Sequence, residues 1–217
     1  VGSAYTLMVF LISVLLGLAM GSGTVFSLHY GAGNHVALRR SIFSSFVLIG
    51  IVTLILNVAV FIWLDPILRL LQVPQDIYGM MRSYLWIIFC GIVFTFIYNF
   101  YASLLRAVGD SVTPLWFLAV SVVLNIALDL FFILQLDWGI QGAAAATVLA
   151  QGVAALGIII YTYRRRPELR WHHEDMCFDR TCLKEIASFS TLTCIQQSVM
   201  NLGILMVQGL VNSFGTA

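Results

Sequence analysis

Charge is what this sequence has least of. Only 10% of its 217 residues are Asp, Glu, Lys or Arg, while 60% are hydrophobic. A soluble domain carries roughly 25% charged residues, so an ordinary water-facing globule is excluded. Proline is almost as scarce, with four in the whole chain, which leaves long stretches free to run as unbroken helix. The four cysteines form no spaced pattern: Cys90 and Cys194 lie in apolar runs, Cys177 and Cys182 in a polar one. All four are read as free thiols, which excludes a disulfide scaffold. Gly31, Gly33 and Gly109 are not followed by the Lys of a phosphate cradle, and neither His-Glu-x-x-His nor Gly-x-Ser-x-Gly occurs. There is no recognisable secretory signal.

What is present is hydrophobic length. A membrane-crossing helix needs roughly 20 mostly apolar residues, and six such runs are expected, at about 4–28, 41–63, 82–102, 115–134, 142–163 and 186–213. The fold class is therefore all-α, a polytopic transmembrane helical bundle. The first run carries Ser13, Gly17, Gly21 and Thr24 on one side, and the fifth carries Ala143 to Ala146, Ala150, Ala154 and Gly157. Such small-residue faces let a neighbouring backbone approach closely. Between the second and third runs, Pro66 and Pro74 bracket a short amphipathic piece from Ile67 to Val73, expected to lie on the membrane surface. Pro114 falls in the first turn of the fourth run, where a missing N–H is harmless. Trp138 is a candidate interface anchor.

The basic residues orient the bundle. One set of connections holds Arg39, Arg40, Arg106, Arg164, Arg165, Arg166, Arg170, Arg180 and Lys184, and the opposite set only Arg69 and Arg82. By the positive-inside rule the first set, with the polar segment 164–185, is cytoplasmic. Residue 1 then lies outside, and the expectation is that a preceding helix belongs to a longer protein. Arg164 to Arg170 with Trp171 is assigned to topology and anionic lipid rather than to nucleic acid. His172, His173, Cys177 and Cys182 match no zinc module, and no resident metal is expected.

Inside the membrane runs one side chain is ionisable. Ser121, Asn125 and Asp129 recur every four residues, so a helix carries them on one face. A lone acid in the bilayer is expensive unless it faces a polar interior, and it marks a functional site by default. At about 1.5 Å per residue, Asp129 and Thr147 sit within about 8 Å of neighbouring helix ends. Asn125 is one turn below, and Tyr84 lies near the head of the third run. An acid, an amide oxygen and two hydroxyls suit a hard monovalent cation such as Na⁺, and suit a proton equally. The bland reading is a polar cluster that glues helices. Gln197, Asn201, Gln208 and Asn212 share a face of the sixth run and could line a substrate path, although interhelical hydrogen bonding explains amides there as well. An intramembrane enzyme would need a second ionisable partner for Asp129, so no catalytic residue is assigned and no cofactor is expected beyond a coupling H⁺ or Na⁺. A receptor or scaffold without turnover remains the reading from a different class.

Several segments together resemble the multidrug and toxic compound extrusion (MATE) transporters. They are Gly31-Ala32-Gly33-Asn34 with Arg39-Arg40, Leu105 to Pro114, Asn125 to Leu130 followed by Trp138 to Thr147, and Gln196-Gln197 through Gly215. The resemblance implies a protein about twice this length, built of two six-helix lobes, that exports organic cations and drugs in exchange for H⁺ or Na⁺. It implies that residues 1–165 are the second to sixth helices of the first lobe, 166–185 the loop between lobes, and 186–217 the first helix of the second lobe. It implies a cation site at Asn125, Asp129, Thr147 and Tyr84, completed by an acid from a first helix that is missing here. The related alternative is a lipid-linked saccharide flippase, whose groove would be expected to hold cationic residues that these runs lack. Expected partners are membrane lipid, organic cationic substrates and the remaining parts of the same protein; expected localisation is the cell (inner) membrane.

Overall fold

A computed structural model describes residues 2–70, 75–171 and 180–213. They form seven α-helices: α1 (Gly2–Gly31), α2 (His35–Leu70), α3 (Gln75–Cys90), α4 (Ile92–Ala107), α5 (Val112–Leu134), α6 (Gly139–Arg165) and α7 (Arg180–Ser213). A single 3-10 turn, Pro167–Leu169, follows α6. Among the described residues, five stretches are long and apolar enough to cross a membrane: 12–31, 35–66, 78–107, 112–134 and 139–165. The third joins α3 and α4. The sixth expected span lies in α7, which has 34 residues; much of its apolar second half lies outside the residues whose side chains are described.

Successive membrane-crossing spans run in alternate directions, so the basic connections collect at one end of the bundle. The α1–α2 and α4–α5 turns there share one construction. At Gly33 (φ +68°) and Gly109 (φ +88°) the chain enters the left-handed region, which glycine occupies without a Cβ penalty. The next amide then reaches back five residues, Asn34 N–H to the His29 carbonyl (3.1 Å) and Asp110 N–H to the Leu105 carbonyl (2.9 Å). This closes the outgoing helix in a Schellman cap. The same Asn34 and Asp110 then begin the next helix, accepting from the Ala37 N–H (3.1 Å) and the Thr113 N–H (3.1 Å) respectively. The turns at 31–34 and 108–110 are thus stop-and-start signals written in adjacent residues.

Two expectations are corrected. Residues 67–70 do not break from the second span: α2 continues through Pro66 to Leu70. Pro66 is exposed, so its missing N–H lies away from the packed side. Leu64 and Leu68, one turn apart, are buried with Leu85 and Phe89. Tyr78 and Arg82 of α3 both donate to the Asp65 carboxylate at 2.9 Å, tying the two helices together at this end. The third span, in turn, runs from 78 to 107 and is interrupted at Gly91, between α3 and α4. A Cβ there would stand 2.4 Å from Val148 Cγ2 of α6, so glycine is what lets the helices approach.

Helix α1 packs most heavily on α7, and α5 on α6. Between α1 and α7 the expected small-residue face is the contact. A Cβ on Gly21 would lie 2.4 Å from Ser190 Cα, and one on Gly17 2.8 Å from Cys194 Cα. Since lipid is as apolar as Leu, such close backbone packing and interhelical hydrogen bonds hold membrane helices together. Toward the basic end Phe26, Phe46, Phe96, Phe100 and Trp171 form an aromatic cluster.

Candidate functional site

Three helices carry polar pairs one turn apart: Thr95 and Asn99 on α4, Ser121 and Asn125 on α5, Thr147 and Gln151 on α6. Each pair shares a helix face, and the fold turns all three faces toward one another. They line a cavity of about 340 Å³ with Tyr98 and apolar side chains from α1, Ile12 and Leu16. A smaller space of about 90 Å³, lined by Tyr84, Ile88 and Phe89, adjoins it and shares Thr95, Thr147 and Gln151. No acid, Lys, Arg or His lines either one among the described residues.

The hydrogen bonds define the site. Asn125 Nδ2 donates to Thr147 Oγ1 (3.3 Å), whose own hydrogen goes to the Ala143 carbonyl one turn back (3.0 Å). Thr95 Oγ1 donates to Gln151 Oε1 across the α4–α6 interface. Asn99 Nδ2 donates to the Thr95 carbonyl (2.8 Å), and Tyr98 Oη to the Pro114 carbonyl (2.8 Å).

Of the expected site residues, Asn125 and Thr147 meet directly. Tyr84 reaches the smaller space beside Thr147 without a hydrogen bond to it. Asp129 stands one turn beyond Asn125 on α5. It lines neither cavity, and its Oδ1 is buried with no hydrogen-bond partner among the described residues. An unmatched carboxylate oxygen at membrane depth is costly. On α7, Asn201 Nδ2 donates to Ser13 Oγ of α1, and Gln197 is half-buried; neither lines the cavity. The side chains of Gln208 and Asn212, and residues 172–179 with His172, His173 and Cys177, lie outside those described. Thr95, Asn99, Ser121 and Gln151 were not assigned to the site from sequence. The signal was available as polar pairs at i and i+4, but only the fold shows that their faces converge.

The basic end holds a second polar group. Asp110 accepts from Thr113 Oγ1 (2.9 Å) and Tyr161 Oη (3.3 Å), and Arg166 Nη2 lies 3.8 Å away. Burial by itself raises the Asp110 carboxyl, but the hydrogen bonds from Thr113 and Tyr161 and the Arg166 charge outweigh it and hold the group below its usual value. On the other flank His29 Nε2 stands 3.7 Å from Glu185 of α7, and Ser41 Oγ is 2.9 Å from Cys182 Sγ.

Residues 1–131 match the family model described as MatE. The chain is 32% identical to the probable multidrug resistance protein YpnP of Bacillus subtilis (strain 168), covering 97% of this chain and 47% of that protein. It is 32% identical to the multidrug export protein MepA of Staphylococcus saprophyticus, covering 75% of this chain and 37% of that one. Among solved structures, the fold matches the outward-facing conformation of a multidrug resistance MATE family transporter of the MOP superfamily with TM-score 0.89 at 22% identity, over 99% of this chain and 48% of that chain. It also matches a MATE crystallised in complex with MaD5 with TM-score 0.90 at 21% identity, over 99% and 49%. The chain spans about half the length of the curated relatives it matches.

Proposed function

Since the chain belongs to the MatE family, we propose that it is part of a secondary transporter that exports organic cations and drugs by antiport with H⁺ or Na⁺. The names of its relatives, multidrug resistance and multidrug export proteins, support the transport class. The observation that carries the ion-coupling part is the buried, unpartnered Asp129 oxygen, one turn from the Asn125–Thr147 hydrogen bond at the wall of an uncharged cavity.

In this reading the coupling cation binds Asp129, with Asn125, Thr147 and Tyr84 supplying neutral oxygens or hydrogen bonds. Occupation of the carboxylate biases the bundle between inward- and outward-open states, because the ion binds one state better than the other. Substrate occupies the cavity between α4, α5 and α6 and leaves when the cation takes hold. Residues 1–165 then belong to the first lobe and 186–217 to the first helix of the second. The basic end faces the cytoplasm across the cell membrane.

The test uses the full-length protein in sealed vesicles, with efflux of a fluorescent cationic dye followed under an imposed pH or Na⁺ gradient. Wild-type flux should follow one gradient, and Asp129→Asn should abolish the gradient dependence while the protein still inserts. Equal, gradient-driven flux in both proteins would reduce Asp129 to a structural role.

A further inference from the structure

The hydrogen bonds around the larger cavity settle which end of two amides faces inward. Asn99 Nδ2 donates to the Thr95 carbonyl. A carbonyl only accepts, so nitrogen is the engaged end and oxygen the end left over. Asn125 Nδ2 donates to Thr147 Oγ1. The Thr147 hydrogen is already given to the Ala143 carbonyl, so Thr147 must accept, and again the Asn125 oxygen is left over. Both side chains line the cavity. Neither oxygen is among the described buried polar atoms lacking a partner, so both are open to an occupant rather than sealed in protein. The other polar groups of the wall are largely engaged. The Tyr98 hydroxyl donates to Pro114, and the Gln151 oxygen is held by Thr95, which leaves the Gln151 amide nitrogen and the second N–H of each Asn amide as the wall's amide donors. Ser121 adds a hydroxyl.

We propose that this cavity selects its occupant through N–H donors. The ligand is a mostly apolar organic cation whose charged group carries N–H bonds, such as an amidinium or a protonated amine, seated against Asn99 Oδ1 and Asn125 Oδ1. A cation of the same charge with every N–H replaced by N-methyl is discriminated against. Binding removes water from both oxygens, and a donor-free ligand gives nothing back, which is the circumstance in which a polar site rejects an analogue most strongly. Among the described residues no charged side chain lines this cavity, so within them it is donor geometry that distinguishes one cation from another. The inference rests on the exporter reading above and narrows the substrate it would carry.

A matched pair of probes tests it: benzamidinium and N,N,N′,N′-tetramethylbenzamidinium, which share charge and aromatic body and differ in N–H donors. Each would be titrated calorimetrically into the full-length protein in lipid nanodiscs and used to inhibit dye efflux from vesicles. Benzamidinium should bind about tenfold or more tightly than its tetramethyl analogue. Asn99→Leu should reduce that ratio several-fold by weakening benzamidinium alone. The only described hydrogen bond of Asn99 stays within its own helix, so the substitution breaks no described hydrogen bond between helices. Equal affinities in the wild type, or an unchanged ratio in Asn99→Leu, would overturn the inference. Equal inhibition by both probes with efflux intact leaves the exporter reading standing and removes this one; absence of any efflux removes both.

Discussion

At the scale of single residues, the site is a chain of oxygens in which one member is unmatched. The Asn125 amide nitrogen donates to Thr147, and the Thr147 hydroxyl is fixed in direction by the Ala143 carbonyl. Asp129 has no such partner for its buried oxygen. This division of roles predicts different phenotypes. Under the antiport proposal, Asp129→Asn should remove gradient coupling outright, since it deletes the carboxylate of the proposed ion site. Thr147→Val should leave coupling intact but raise the ion concentration for half-maximal efflux by about fivefold, the factor for a hydrogen bond worth roughly 1 kcal/mol. Thr147→Ser should restore it. If Thr147→Val abolishes efflux as fully as Asp129→Asn, the two residues do not divide the work in this way.

At the scale of helices, contact is governed by what the backbone leaves room for. Gly21 faces backbone atoms of α7 that have nowhere to move: a Cβ would come 2.4 Å from Ser190 Cα. Gly21→Ala should therefore destabilise the detergent-solubilised protein by about 1–3 kcal/mol, as overpacking does. Gly79→Ala on α3, where nothing lies within 4 Å of the added carbon, should leave the melting temperature unchanged or slightly raised. The α4–α5 turn makes a pH prediction. The Asp110 carboxyl is held below its usual value, so its contribution to stability is complete at neutral pH, persists above the unfolded-state value of 3.8, and is lost as pH falls through the lower folded-state value. Asp110→Asn should lower stability at pH 7 by roughly 1 kcal/mol and flatten the acid dependence below about pH 4. Thermal melts of both proteins across that range measure this directly.

At the scale of the whole molecule, α7 is tied to the rest of the bundle mainly at one end. It is held to α1 by the glycine contacts, to α2 by Ser41 and Cys182, and flanked by His29 and Glu185. All of these lie in the half of α7 that begins at the basic end. If residues 1–165 and 186–217 belong to lobes that rock against each other, these contacts separate when the basic end opens. Ser41→Cys should form a disulfide with Cys182 under mild oxidation, since the present side-chain atoms are 2.9 Å apart. The oxidised protein should lose dye efflux and regain it on reduction. Full efflux in a protein shown by gel shift to be cross-linked would mean that α2 and α7 do not part at this point.

The membrane class, the number of runs and the identity of the intramembrane acid were determined by sequence alone, because hydrophobic length and the cost of a charge in lipid depend on local composition. So were the turns, since Gly33-Asn34 and Gly109-Asp110 are caps whose chemistry is complete within a few residues. The limits of the second span were not. Proline ordinarily ends a helix, and only the burial of Leu64 and Leu68 against α3 carries α2 past Pro66. Helix rotation was not legible either. Depth places Asp129 level with Thr147 and Asn125 one turn below, but which way each helix turns is decided by packing such as Val148 on Gly91. That packing gathers Thr95, Asn99, Ser121 and Gln151 into one cavity and leaves Asp129 a turn beyond it. A periodic pattern says which residues share a face; only the tertiary structure decides what that face meets.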